Sequence, residues 1–470
     1  MVKSSSRKND SDMSGSSSIS ASLARRGVVA GLVFLFEKVM PDPFVLSIGL
    51  TFFVVVFAWA FGPQGDPATI LSSWFTGTFG ILAFALQMIL ILATGFAIAD
   101  AAPVQRGLRA LAARVESPTK AALVIFPVVA IAAWLNWGLG LVVGALLARE
   151  IAKRTRVDFA WLVAGSYSAW SICNSGLSSS IALSQASHGN ALNFVEKATG
   201  NVVPLSATIF APFVFVPTIL VVVVMMTIFI RIHPSGADIH VFSDNSAAPA
   251  GNPHAKVTDM NSFAARAERS VIGTLVLLAL GLAYIVMLFR RGDFELDINM
   301  TILLFFLIGL ALQKTPIAYA DSIRRAAHQT GSMLLQYPMY GGIMGIMKGT
   351  GLAAAISKGF VAVATPSTLP LWSFLSSMII TLLIPSAGGH WAVDGPFVVP
   401  AALALHASVP HSIMGVAMAE NVSNMLQPFW AVPVVAIAGI RIQRVMGYTA
   451  ITFAVSLVIY AASLWGSSLV

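Results

Sequence analysis

Residues 171–180 read SICNSGLSSS, and seven of the ten are Ser, Asn or Gly. They interrupt an otherwise apolar stretch from about Phe159 to about Leu183. Hydroxyl and amide oxygens at this density can coordinate a cation, and their N–H and O–H groups can hold a carboxylate. Asn174, Ser175, Ser178, Ser179 and Ser180 are therefore candidate ligands. The plainer reading makes one of them the cap of a second half-helix, which would mark a broken helix equally well. Asn421, Ser423 and Asn424, in NVSNMLQPFW (421–430), form a second cluster of the same kind. Asp394, Glu420 and His390 also stand in apolar sequence. An ionised group there is costly, so each is a candidate for carrying a coupled proton. Each has a structural alternative as well. Asp394-Gly395-Pro396 reads as a helix cap followed by proline, Glu420 as half of an ion pair, and His390 as a satisfied histidine beside Trp391. Gln87 and Gln336 are mid-span amides, suited to substrate donation or to joining helices. Cys173 is the sole cysteine, which excludes an intramolecular disulfide and reads as a packing residue.

These residues need elements that hold them at membrane depth. The chain of 470 residues is 57% hydrophobic and 10% charged, with a mean hydropathy of +0.82. Such a balance leaves too few polar residues to cover a soluble domain. Phe44–Phe61, Phe79–Ala99, Leu205–Ile230, Val271–Phe289, Ile298–Leu312 and Thr449–Leu464 approach or reach the length that crosses a bilayer. The expected fold is all-α and polytopic. The net charge of +8 comes from Lys and Arg in short loops, which orients the chain in a membrane and does not imply nucleic acid. With the N-terminus inside, 23 of the 28 Lys and Arg fall on the inner side. That division requires residues 121–150 and 370–406 to enter the membrane and turn back. Their turn-like breaks are LNWGLG (135–140) and PSAGGHWAVDGP (385–396), which adds Asn136 and Ser386 as candidate tip ligands.

A shift of about 250 residues superimposes these landmarks. Gln87 falls on Gln336, Gly138 and Gly140 on Gly388 and Gly389, and Asn174 on Asn424. Five crossings separate the two starts, so the second copy is inverted relative to the first. Inverted repeats with paired interrupted helices are common among secondary transporters. The expected organisation is a disordered tail over 1–20, an interfacial helix over 21–40 and a first repeat over 41–231. A cytoplasmic linker over 232–270, a linking span over 271–297 and the second repeat over 298–470 complete it. No cation lies clearly inside a span, the nearest being Lys348. An anionic cargo would then rely on helix dipoles, amide and hydroxyl donors and a co-bound cation, which points to symport with Na⁺ or H⁺. No further cofactor is expected, and no metal beyond Na⁺ at the same loops. The expected partners are the lipid bilayer and a small carboxylate, with a homodimer left open.

At MPDPF (40–44), NWGLG (136–140), CNSGLSSS (173–180), PSAGGHW (385–391) and NVSNMLQPFW (421–430) the chain resembles the bacterial short-chain fatty acid transporter family. The likeness runs from about residue 25 onward. The layout is also similar to the wider ion-transporter superfamily, whose dicarboxylate/sodium symporters carry Ser-Asn-Thr at their hairpin tips. This chain has Leu135-Asn136-Trp137 and Ser386-Ala387-Gly388 there. The resemblance implies secondary transport of short-chain carboxylates such as butyrate or acetoacetate across the bacterial cytoplasmic (inner) membrane. Dicarboxylate symport, another small organic anion and a channel are the alternatives. An intramembrane enzyme is disfavoured, because the chain has no H-E-x-x-H pattern and no histidine near the serine cluster. No GxxxxGK[ST] phosphate loop is present to couple transport to ATP.

Overall fold

The computed structural model describes residues 43–234, 263–327, 330–427 and 442–467, with Trp430, Ala431, Val434, Val435 and Ile440. The tail over 1–20, the helix over 21–40 and most of the linker over 232–270 lie outside the described residues. The described part is helical, with short 3-10 turns. The first half contains α1 (Pro43–Phe61), α2 (Pro67–Gly80), α3 (Leu82–Ala99), α4 (Ala102–Ala112), α5 (Pro118–Leu135) and α6 (Trp137–Ala152). It continues through α7 (Phe159–Trp170), α8 (Ser180–Ala186), α9 (Phe194–Thr199) and α10 (Pro212–Arg231). After α11 (Val271–Arg291), the second half runs through α12 (Ile298–Gln313), α13 (Pro316–Ala327), α14 (Gly331–Gly349) and α15 (Leu352–Val363). It ends with α16 (Leu369–Leu383), α17 (Ala387–Ala404), α18 (Val409–Ser423) and α19 (Ile442–Ser467).

Among the described residues, six stretches are long and apolar enough to cross a membrane: α1, α2 with α3, α5, α10, α11 and α19. The bent pair α14–α15, turning through 72°, makes a seventh. The span expected over Phe79–Ala99 starts earlier, at Pro67. Asp66 accepts hydrogen bonds from the Ala68 and Thr69 amides at 3.1 and 3.0 Å, and proline follows at the first helical position. The span expected from Leu205 starts later. A 3-10 turn occupies Leu205–Ala207, and α10 begins at Pro212.

Helix starts repeat along the chain. α3, α5, α6 and α7 begin at residues 82, 118, 137 and 159, and α14, α16, α17 and α18 at residues 331, 369, 387 and 409. Caps repeat with them. Asn136 and Ser386 both hold extended backbone (φ −153° and −154°) and accept the amide three residues on, from Leu139 and Gly389. Asp158 and Ser408 cap α7 and α18 in the same way.

The chain turns at fewer residues than its glycines and prolines suggested. Asn136 alone separates α5 from α6, which pack against each other, and Ile384–Ser386 separate α16 from α17. Asp394 therefore does not lie in a hairpin tip and does not cap a helix. It sits inside α17, whose cap is Ser386, and Pro396 is interior to the same helix. The glycines of this stretch serve close packing. A Cβ at Gly388 would lie 2.5 Å from the Phe84 ring, one at Gly389 2.3 Å from Tyr340, and one at Gly395 2.2 Å from Phe194.

One buried cluster draws on both halves, with Met88, Trp170, Tyr340 and Trp391 among its members. Its largest helix–helix contact joins α2 to α14. A Cβ at Gly77 would fall 2.2 Å from the Gly341 carbonyl oxygen, and one at Gly345 2.1 Å from that of Ser73. The two backbones touch directly, the small-residue packing that drives association where lipid supplies no hydrophobic force.

Candidate functional site

Three interruptions of helix meet inside the molecule. The first is the Asn136 joint, where the side-chain amide donates to the Ile91 carbonyl at 3.0 Å while the side-chain oxygen caps α6. The second is the break between α7 and α8, filled by a 3-10 turn at Cys173–Ser175 and closed by Ser179 as the cap of α8. Leu177 N–H donates to the Trp134 carbonyl at 2.7 Å, and Ser178 Oγ accepts from the Trp137 amide at 2.8 Å, which stitches the break to the hairpin. The third is the end of α18. That helix runs on through Asn421 and Ser423, so the second interruption begins at Asn424, the residue that the repeat pairs with Asn174.

Asn421 joins the halves. Its Oδ1 accepts the Asn174 amide and its Nδ2 donates to Ser175 Oγ, both at 2.9 Å. Tyr167 adds a donor to the Asn424 carbonyl at 3.0 Å. Ser386 Oγ donates to the Tyr337 hydroxyl at 3.2 Å, and Ser423 Oγ to the Met378 carbonyl at 3.3 Å. All these polar side chains are buried.

At this junction lies a cavity of about 30 Å³. Asn174, Ser180 and Glu420 give its lining polar groups, Trp137, Trp170 and Trp430 give it aromatic rings, and Met88, Met333 and Tyr337 line it as well. Its volume admits about two water molecules. The rings of Trp137 and Trp430 are 5.3 Å apart, and those of Trp170 and Trp430 6.1 Å. Behind Glu420 stands a buried cluster. His390 Nδ1 lies 3.2 Å from Glu420 Oε2 and 3.1 Å from Thr381 Oγ1, and His390 Nε2 lies 2.9 Å from Asp394 Oδ2. Ser377 Oγ donates to Asp394 Oδ2. His390 and Asp394 have no solvent exposure, and Glu420 has 1%. Glu420 Oε2 and Asp394 Oδ1 have no hydrogen-bond partner among the described residues.

The three titratable candidates thus meet, although thirty residues of sequence separate His390 from Glu420. Of the polar candidates, Asn174 and Ser180 reach the cavity. Asn136, Ser175, Ser178, Ser179, Ser386, Asn421, Ser423 and Asn424 surround it and spend hydrogen bonds on the protein. Gln87 lies elsewhere, donating to Asn299 at 2.8 Å and accepting from Asn190 at 3.3 Å, so it joins helices. Gln336 accepts from Tyr340 at 3.4 Å. The tryptophan wall, Thr381 and Ser377 were missed. The Trp beside the Asn136 tip was the one available signal, since an aromatic at a helix start inside the membrane has a polar N–H to satisfy.

The whole architecture is that of known helical membrane transporters. It matches the YdaH transporter of Alcanivorax borkumensis, described as having an unusual topology, with a TM-score of 0.58 over 91% of this chain and 98% of that one at 14% identity. It also matches MtrF of Neisseria gonorrhoeae, described within a class of antimetabolite efflux pumps, with a TM-score of 0.53 over 93% and 97% of the two chains at 15% identity. Those likenesses define the fold. Sequence defines the family: residues 24–465 match the family model for short chain fatty acid transporters, and the chain belongs to that family. Two relatives share the name "Putative short-chain fatty acid transporter". That of Escherichia coli (strain K12) is 37% identical over 88% of this chain and 94% of the relative. That of Haemophilus influenzae (strain ATCC 51907 / DSM 11121 / KW20 / Rd) is 33% identical over 89% and 94%. The chain is a multi-pass membrane transporter, not an enzyme.

Proposed function

We propose that the protein carries short-chain monocarboxylates such as butyrate or acetoacetate across the bacterial cytoplasmic membrane, coupled to protons, with its N-terminus inside. In this reading the two halves are inverted repeats. The α5–α6 and α16–α17 pairs are their re-entrant hairpins, and the junction cavity is the midplane binding site. One observation carries it: Glu420 forms the wall of that cavity and touches a buried His390–Asp394 pair, so a titratable chain ends at the substrate position. Buried carboxylates and a histidine within contact can trade a proton at modest cost.

The same geometry favours H⁺ over Na⁺. A sodium site needs several free oxygens. The side-chain oxygens of Asn136, Ser175, Ser178, Ser179 and Asn421 each already accept a protein N–H. Each therefore keeps only one further lone pair for a cation. The test is uptake of labelled butyrate into proteoliposomes under separately imposed pH, Na⁺ and voltage gradients, corrected for protein-free vesicles because protonated butyrate crosses lipid unaided. Protein-dependent accumulation driven by pH alone is the expected result, and accumulation that needs Na⁺ would overturn proton coupling.

A further inference from the structure

We infer that the coupled proton is held, in the loaded state, between the carboxylate of the cargo and that of Glu420, and that this pairing admits monocarboxylates and rejects dicarboxylates. The inference rests on the proposal that the junction cavity is the cargo site.

Among the described residues that line the cavity there is no Lys, Arg or His, and Glu420 is their one carboxylate. An anionic cargo placed there meets a like charge on a buried residue, where solvent screening is weak. Two carboxylates at contact distance cannot both stay ionised, so one proton is shared between them. Glu420 is built for this. Its Oε2 faces His390 Nδ1 at 3.2 Å, and a carboxylate that also lines the cavity keeps further lone pairs for a proton bridging to a ligand. The balance is simple: one cargo carboxylate and one proton enter together, an O–H···O bond forms, and the charge of the site is unchanged.

The groups that face Glu420 agree with one proton per cargo. His390 of α17 lies behind it, with Asp394 beyond. Thr381 of α16 and Asn424 offer neutral hydrogen-bonding groups. Tyr167 of α7, Cys173 of the 3-10 turn and Tyr337 of α14 lie within reach of its charge and supply no cation. A carboxylate arriving alone would add a negative charge to this cluster, and one arriving with a proton leaves its charge as it was.

The apolar part of the lining sets the cargo class. Trp137, Trp170, Trp430, Met88 and Met333 suit an aliphatic tail. A second carboxylate at that end would be buried against ring faces without a counter-ion, which is strongly unfavourable.

The experiment measures protons taken up on ligand binding, with purified protein in weakly buffered detergent at pH 7.5 and a pH-indicator dye. Wild type is expected to take up about one proton per butyrate bound. Glu420→Gln, which keeps the shape and donates its own N–H, is expected to bind butyrate with uptake near zero. Wild-type binding without proton uptake, or Glu420→Gln binding with one proton still taken up, overturns the inference and leaves the transport reading standing. Wild type that binds no butyrate sinks the transport reading itself. If Glu420→Gln binds nothing, wild-type competition decides: a hundredfold excess of succinate should leave bound labelled butyrate in place, and its displacement overturns the inference.

Discussion

Asn421 makes two buried hydrogen bonds that tie α18 to the turn of the first half. Truncation to alanine would orphan the Asn174 amide and the Ser175 hydroxyl in a dry interior, at about 1–3 kcal/mol for each group left unpaired. Asn421→Ala should therefore melt clearly earlier than wild type in detergent by tryptophan fluorescence and lose butyrate uptake. Unchanged melting would show that water replaces the amide. Outside the membrane, His188 Nδ1 lies 2.8 Å from Glu196 Oε1, and the Gly189 amide donates to Glu196 Oε2 at 2.8 Å. The bond to Glu196 raises the His188 pKa, and the bond to His188 lowers that of Glu196. The contribution of His188 is present below its unfolded pKa and lost as pH rises through the raised folded value. That of Glu196 is present above its unfolded pKa and lost as pH falls through the lowered one. The clamp should be firmest between the two, and Glu196→Gln should flatten the pH profile of proteolysis in the 188–201 loop. An unaltered profile would assign no role to this pair.

At the scale of elements, the α2–α14 contact depends on the absence of side chains. A Cβ at Gly345 would meet the Ser73 carbonyl oxygen and the Gly77 Cα, which are backbone atoms that cannot step aside. Gly345→Ala should cost about 1–3 kcal/mol, the range of overpacked cores. Gly80→Ala, with nothing within 4 Å of the added carbon, should be neutral or stabilising. Equal melting of the two variants would contradict the geometry. The elements themselves were largely legible in the sequence, because long apolar runs have few alternatives in lipid. α1, α11 and α12 begin and end within two residues of the apolar stretches that announced them. The cluster SICNSGLSSS announced a real break between α7 and α8. Glycine and proline misled the reading at 385–396, since their two roles, turning a chain and letting helices touch, look alike in one dimension. The meeting of His390 with Glu420 was invisible for another reason: it depends on how α17 packs on α18, and periodicity does not encode that.

For the molecule as a whole, the halves share cap geometry at Asn136 and Ser386 and helix starts about 250 residues apart. If they are antiparallel, with the N-terminus inside, Glu116 and Glu295 face opposite compartments. Both side chains are exposed, at 76% and 64%, while Cys173 is buried. Glu116→Cys and Glu295→Cys introduced into the otherwise unaltered chain should react with an impermeant maleimide from the inside and the outside respectively. Labelling of both from one side would remove the inverted arrangement.

The junction cavity is too small in this conformation for a four-carbon acid. If it is the cargo site, as proposed, its tryptophan and methionine lining must part to admit cargo and close again once it leaves. A chamber that collapses when vacant lets the empty carrier reset without a continuous thread of water across the bilayer. Under the proposed proton coupling, protons would then have no wire to follow on the return stroke, and the driving gradient would be spared from futile leakage.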